Sequence, residues 1–226
     1  MNMNMFEQFA SPEILFIPTS LISMILPILF IRPSTTLLGN RLSTIMNWFF
    51  KTILLNMMHQ LSPTGQKWSR FLISLLIFIL LSNLLGLLPY TFTSTSQLSM
   101  NMALAIPMWL ATVITGLTTK TSSTLAHMLP EGSPTPLIPF MILIETISLF
   151  MRPIALGVRL TANITAGHLL MTMISSAALN FFNTYNTLSI LMMILLFLLT
   201  LLEMAVACIQ AYVFVLLVTL YLQENT

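Results

Sequence analysis

The chain has 226 residues, 57% of them hydrophobic and only 6% charged, with a net charge of +2. A soluble domain carries about 25% charged residues, so eight Lys/Arg and six acidic residues, all Glu, cannot wet a globule of this size and the chain reads as an integral membrane protein. The small, dispersed charge gives no footing for nucleic-acid binding, and the lone cysteine, Cys208, excludes an internal disulfide framework and a Cys-based zinc site.

The N-terminal residues lack the basic n-region of a secretory signal and the Arg-rich pattern of a transit peptide, so insertion near the site of synthesis is expected. A spanning helix needs about 20 apolar residues. The first candidate span is 15–31, stopped by Arg32 and Pro33. Within 40–58, apolar residues recur at Leu42, Ile45, Met46, Phe49, Phe50, Ile53, Leu54 and Met57, while Arg41, Thr44, Asn47, Lys51 and Asn56 occupy most of the other face. That spacing predicts an amphipathic helix lying in the membrane interface. Further spans are predicted at 71–88, flanked by Lys67 and Arg70, and at 98–116, with Asn101 and Pro107 inside it. Five of the eight basic residues fall between Arg32 and Arg70, which places that segment inside and the N-terminus outside. Pro130, Pro134, Pro136 and Pro139 mark a helix-free connector back on the inside.

The last two apolar stretches, 140–179 and 188–221, are too long for upright spans: at ~1.5 Å per residue they reach about 60 and 51 Å against a hydrocarbon core of about 30 Å. Either they break at Pro153, Gly157 or Gly167, or they tilt steeply; the helical spacing of their polar residues favours tilt. The fold class is therefore all-α: a polytopic membrane protein with one N-terminal span, one interfacial helix, a two-helix hairpin and two long, steeply tilted helices, in a single membrane domain.

Charges within spans are costly and demand partners, water or a role. Glu145, Arg152 and Arg159 are seven residues apart and share one stripe, with Asn163 on the same side. His168 points away from them, and Glu203 and Gln210, again seven apart, share a face of the last helix. Residues 180–187 form an Asn-rich turn. Folding the two long helices back about it sets Arg159 against Gln210 and His168 against Glu203 as two polar rungs. Ala205, Ala207 and Ala211, with Gly157 and Gly167, supply small residues for close packing.

Glu and His can change protonation within reach of physiological pH, whereas Arg stays charged, so the pattern describes proton-relay groups beside a fixed positive charge. Plain alternatives stand beside each: Arg152 as a structural ion pair with Glu145, His168 as a packing residue, and Gln210 as polar glue between helices. Arg159 resists such a reading. It has no carboxylate at i±4 and lies far from either end of its helix, so its counter-ion is expected on another protein. His59 and His127 read as surface residues of loops. No P-loop, GxGxxG or nucleophile–base arrangement is present, and the three His are too scattered for a metal cluster, so no cofactor or metal is expected. Composition alone also fits a self-contained ion channel or transporter, although no inverted repeat is visible. It fits a structural or quinone-binding subunit of a respiratory complex as well.

The stretch Met151-Arg-Pro-Ile-Ala-Leu-Gly-Val-Arg-Leu-Thr-Ala-Asn-Ile-Thr-Ala-Gly-His-Leu-Leu170 resembles the signature of the subunit a family of F-type ATP synthases, and Leu202-Glu-Met-Ala-Val-Ala-Cys-Ile-Gln-Ala-Tyr-Val-Phe214 resembles that family's last helix. Start, length and interfacial helix are similar to the animal mitochondrial form. The resemblance implies a non-catalytic stator subunit of the proton-translocating membrane sector in the mitochondrial inner membrane. Its implied partners are the c-subunit ring, other membrane-sector and peripheral-stalk subunits, and the lipid bilayer. It implies Arg159 as the arginine facing the ring's carboxylates, with Asn163 and Gln210 around it. His168 and Glu203 become a relay pair on the intermembrane-space side, and Glu145 an acid at the matrix-side exit. Bacterial relatives carry the His and the carboxylate on exchanged helices, which preserves the pair.

Overall fold

The computed structural model describes residues 9–14, 16–30, 41–58, 65–88, 91–119, 121, 137–182 and 186–225. Six helices account for most of them: α1 (Thr19–Phe30), α2 (Arg41–Met58), α3 (Ser69–Gly86), α4 (Leu98–Thr119), α5 (Ile138–Phe182) and α6 (Asn186–Asn225). Two-residue strands β1 (Glu13–Ile14) and β2 (Ile17–Pro18) pair antiparallel, and short 3-10 turns lie at Gly65–Trp68 and Ser94–Ser96. The chain is thus all-α in architecture. Four of its helical stretches are long and apolar enough to cross a membrane: Gly65–Gly86, Leu98–Thr119, Ile138–Phe182 and Thr187–Glu224.

Several sequence features lie outside the described residues: Glu7, Arg32, Lys120, His59, His127, Pro130, Pro134, Pro136 and the centre of the Asn-rich turn at 183–185. The N-terminal helix begins at Thr19 rather than near residue 15, because the β1–β2 ladder precedes it and Phe16 takes a positive φ of 67° in the connection. Its 12 residues span about 18 Å, short of the hydrocarbon thickness.

The two long helices are unbroken. α5 runs 45 residues through Pro153, and α6 runs 40, about 67 and 60 Å at 1.5 Å per residue. A proline inside a helix removes one backbone N–H and is tolerated in apolar helices where neighbours cover the freed carbonyl. Hydroxyls in these apolar helices bond back to their own backbone: Ser82 Oγ donates to the Ile79 carbonyl at 2.9 Å, Thr112 Oγ1 to Trp109 at 2.8 Å and Thr165 Oγ1 to Thr161 at 2.8 Å. In lipid, where no water competes, this satisfies each donor locally.

The chain divides into two compact units. The first draws on Met1–Arg32, Phe78–Met100 and Arg159–Tyr212. Ile79, Leu160, Ala207 and Ala211 are buried in it, and so are the polar Asn83, Thr161, Glu203 and Gln210. Many of its large apolar residues face outward, Leu179, Leu191, Met193, Phe197 and Leu202 among them. Polar groups inside and Leu, Met and Phe outside is the arrangement a lipid solvent selects.

The second unit draws on Pro33–Ile77, Asn101–Val158 and Val213–Thr226. It buries Leu72, Leu76, Ala105, Leu156, Phe214, Val215 and Leu222, and packs Trp109 against Phe150 in a tilted pair with ring centroids 5.8 Å apart. Gly157 lets Met102 pack directly on the α5 backbone. In α2, Ile45, Trp48, Phe49 and Leu55 are exposed, so these apolar side chains find no cover among the described residues, as fits a helix resting on a membrane surface.

Ala211 is fully buried in the first unit. Ala211→Leu is predicted to lower stability by about 1–3 kcal/mol through overpacking. The check is the thermal unfolding midpoint of the purified protein in detergent, and an unchanged midpoint would refute this packing.

Candidate functional site

The second half of α5 and the first half of α6 run antiparallel within the first unit. Small residues bring the two backbones close, and polar side chains then meet across the gap. Asn163 Nδ2 donates to Gln210 Oε1 at 2.8 Å. One turn further along α5, Gly167 faces Glu203 so closely that a Cβ there would sit 2.9 Å from the Glu203 Cδ and collide with its carboxylate. Glycine at 167 therefore does more than permit close packing: it vacates the volume that the carboxyl group occupies.

These residues border a cavity of about 340 Å³ whose polar lining comprises Asn83, Asn163, His168, Glu203 and Gln210. Asn83 comes from α3, which no charge or motif had singled out; the only signal was a carboxamide deep inside an otherwise apolar run, next to Ser82. Its side-chain Nδ2 reaches the Ala207 carbonyl of α6 at 3.5 Å.

The electrostatics of the cavity rest on what its polar atoms lack. His168 Nε2, both Glu203 carboxylate oxygens and Asn83 Oδ1 are buried and find no hydrogen-bond partner among the described residues. Glu203 is 8% exposed and Asn83 only 3%. Leaving such groups unsatisfied costs about 1–3 kcal/mol each, more for a charged one. A cavity of this size with several convergent polar atoms meets the conditions for holding water, and water is the partner that removes the cost. Histidine and carboxylate side chains can each take up and release a proton.

The structure gathers His168, Glu203, Gln210 and Asn163 around one cavity, keeping His168 and Glu203 on facing helices but replacing Arg159 by Asn163 opposite Gln210. Gln210 bonds Asn163 rather than Arg159. His168 and Glu203 share the cavity without bonding each other directly. Arg159 is exposed and makes no hydrogen bond or ion pair among the described residues. The physical reason is its fixed charge. Burying a guanidinium against a neutral amide leaves several kcal/mol of desolvation unrecovered, whereas the neutral Asn163–Gln210 pair carries no such charge penalty and gains a hydrogen bond.

Glu145 and Arg152 belong to the second unit. There the seven-residue stripe becomes a charge pair, Arg152 Nη2 lying 3.9 Å from Glu145 Oε1. Arg152 also has a partner that the sequence reading left aside, Glu224 near the end of α6, at 2.6 Å. Among the described residues, no group of three or more His, Cys, Asp or Glu side chains is placed to hold a metal ion.

Residues 14–223 match the family model described as ATP synthase A chain. The chain is similar to proteins named ATP synthase F(0) complex subunit a. That of Lycodon semicarinatus is 72% identical over 226 residues, covering all of both chains. Those of Struthio camelus and Salmo salar are 59% and 56% identical, again over the whole of both chains.

The Gly167–Glu203 contact predicts that Gly167→Ala expels the carboxylate from its present position at little cost in stability, about 1 kcal/mol or less, because the displaced atoms end a flexible side chain. A density map of the variant checks this, and an undisturbed Glu203 would contradict it.

Proposed function

The chain belongs to the ATP synthase A chain family, and on that premise we propose that it is the proton-carrying stator subunit of the ATP synthase membrane sector, set in the mitochondrial inner membrane with its N-terminus toward the intermembrane space. It has no catalytic site of its own. Its moving partner is a ring of c subunits bearing carboxylates, and its fixed partners are the other membrane-sector and peripheral-stalk subunits. The observation that carries this reading is the set of unpartnered buried atoms, His168 Nε2 and the Glu203 carboxylate, converging with Asn83 on one cavity.

The mechanism follows from the charges. A proton enters from the intermembrane space, passes through the His168–Glu203 cavity and protonates a ring carboxylate. Neutralised, that carboxylic acid crosses the lipid-facing arc of the rotor, since the uncharged form escapes most of the penalty for burying a carboxylate. On its return it meets Arg159, whose guanidinium is exposed and free of ion pairs among the described residues. The carboxyl group exchanges its proton for an ion pair with Arg159, and the proton leaves toward the matrix past Glu145. Asn163 and Gln210, bonded to each other four residues from Arg159, wall the cavity on that side. The fixed charge of Arg159 also repels protons and so blocks a direct leak between entry and exit paths. Each charge that crosses the full potential yields ~2.3 kcal/mol per 100 mV, so several crossings drive each ATP made elsewhere in the complex.

Two experiments test the reading. Arg159→Gln removes the counter-ion of a carboxylate in a low-dielectric contact, a loss of about 3–5 kcal/mol. Proton-driven ATP synthesis by the assembled complex is predicted to fall by about two to four orders of magnitude; retained synthesis would rule out the role given to Arg159. Exchanging the relay pair, His168→Glu together with Glu203→His, is predicted to conduct protons at least about tenfold faster than either single change, because the pair restores one group of each kind to the cavity. A double variant as slow as both singles sinks the relay.

A further inference from the structure

Arg152 precedes Arg159 by seven residues on α5 but has opposite surroundings. Three groups of its own unit engage it. Nη1 donates to Glu224 Oε2 at 2.6 Å, Nη2 stands 3.9 Å from Glu145 Oε1, and the guanidinium carbon lies 5.0 Å from the centre of the Tyr221 ring. Among the described residues these are the charged and titratable groups in contact with it, one from α5 and two from α6.

The two carboxylates are not held alike. A separation of 2.6 Å is a short, charge-assisted hydrogen bond, whereas 3.9 Å is beyond hydrogen-bond range. Arg152 has five N–H donors and a planar fork that suits a single carboxylate in bidentate fashion. With Tyr221 under its face, the guanidinium points its near edge at Glu224, and Glu145 receives only the diffuse attraction of a neighbouring charge. A carboxylate closed onto an arginine fork keeps its charge and carries protons poorly. One left outside the fork can take up a proton and pass it on.

We propose that Glu224 is a positioning residue for proton release: a competing counter-ion that holds Arg152 off Glu145 and keeps the Glu145 carboxylate free to exchange protons. This rests on the reading of Glu145 as the exit acid. It gives a use to the polar end of α6, which the pathway through Arg159 does not otherwise employ. Removing the Glu224 charge lets the fork swing about its Tyr221 contact and close on Glu145, a distance of little more than 1 Å beyond normal bonding.

The test uses the assembled ATP synthase in inner-membrane vesicles, with proton conduction and proton-driven ATP synthesis measured at equal complex content. E224Q is predicted to slow both by about tenfold at undiminished assembly, the effect of one added charge-assisted hydrogen bond on Glu145. R152Q/E224Q, which removes the closing fork, is predicted to recover most of that loss. If Glu224 merely pins the end of α6, the double variant is no faster than E224Q and the proposal is overturned. E145Q separates the two levels of inference. An E145Q complex that conducts like the unmodified one ends the exit-acid reading and the proposal with it. A slow E145Q beside an E224Q of unmodified rate ends the proposal alone. Where E224Q does not assemble, E224D replaces it: its shorter reach predicts an intermediate rate at full assembly, and an unmodified rate refutes the competition.

Discussion

Inside a bilayer, a polar atom without a partner is costly because no water is at hand to satisfy it, and this cost organises the first unit of the chain. Large apolar side chains are turned outward, while Asn83, Thr161, Glu203 and Gln210 are drawn in. Of these, Gln210 finds a partner in Asn163 at 2.8 Å. Buried atoms on His168, Glu203 and Asn83 do not, yet all face one cavity. Polar atoms that only water can satisfy are a destabilising feature in a structural protein. They are a requirement in one that conducts protons, because a proton needs sites that can gain and lose it.

The two arginines of α5 show how position converts the same chemistry into different roles. Both carry a charge that cannot be removed at any physiological pH. Arg152 is held by Glu224, Glu145 and the Tyr221 ring, and so is neutralised within the chain. Arg159, seven residues on, is exposed and has no ion pair among the described residues. A self-sufficient arginine stabilises its own fold. One without such partners keeps its charge open to its surroundings.

Gly167 links packing to chemistry. The antiparallel halves of α5 and α6 need small residues to approach, and Ala207 and Ala211, both buried, serve that purpose. At 167 the absence of a side chain has a second effect, since the vacated volume holds the Glu203 carboxylate beside the cavity. The same substitution that would stiffen the helix would therefore move the titrating group. Close helix packing and placement of the acid are one constraint at this position.

Much of this protein follows from local pattern. Fourteen charges in 226 residues dictate a lipid environment, long apolar runs dictate all-α spans, and stretches far longer than a bilayer's thickness dictate two extended helices. The seven-residue recurrence of Glu145, Arg152 and Arg159 puts them on one stripe before any coordinates are known. Hydropathy and helical period need only neighbouring residues, and that is why they can be read from the chain. Tertiary structure decided which polar groups meet. Asn83 joins α6 across 124 residues and Arg152 joins Glu224 across 72, while Gln210 takes Asn163 instead of Arg159. Such pairings depend on the register and rotation of helices distant in sequence. A shift of one turn exchanges every partner while leaving hydropathy and periodicity unchanged, so only the packed structure distinguishes among them.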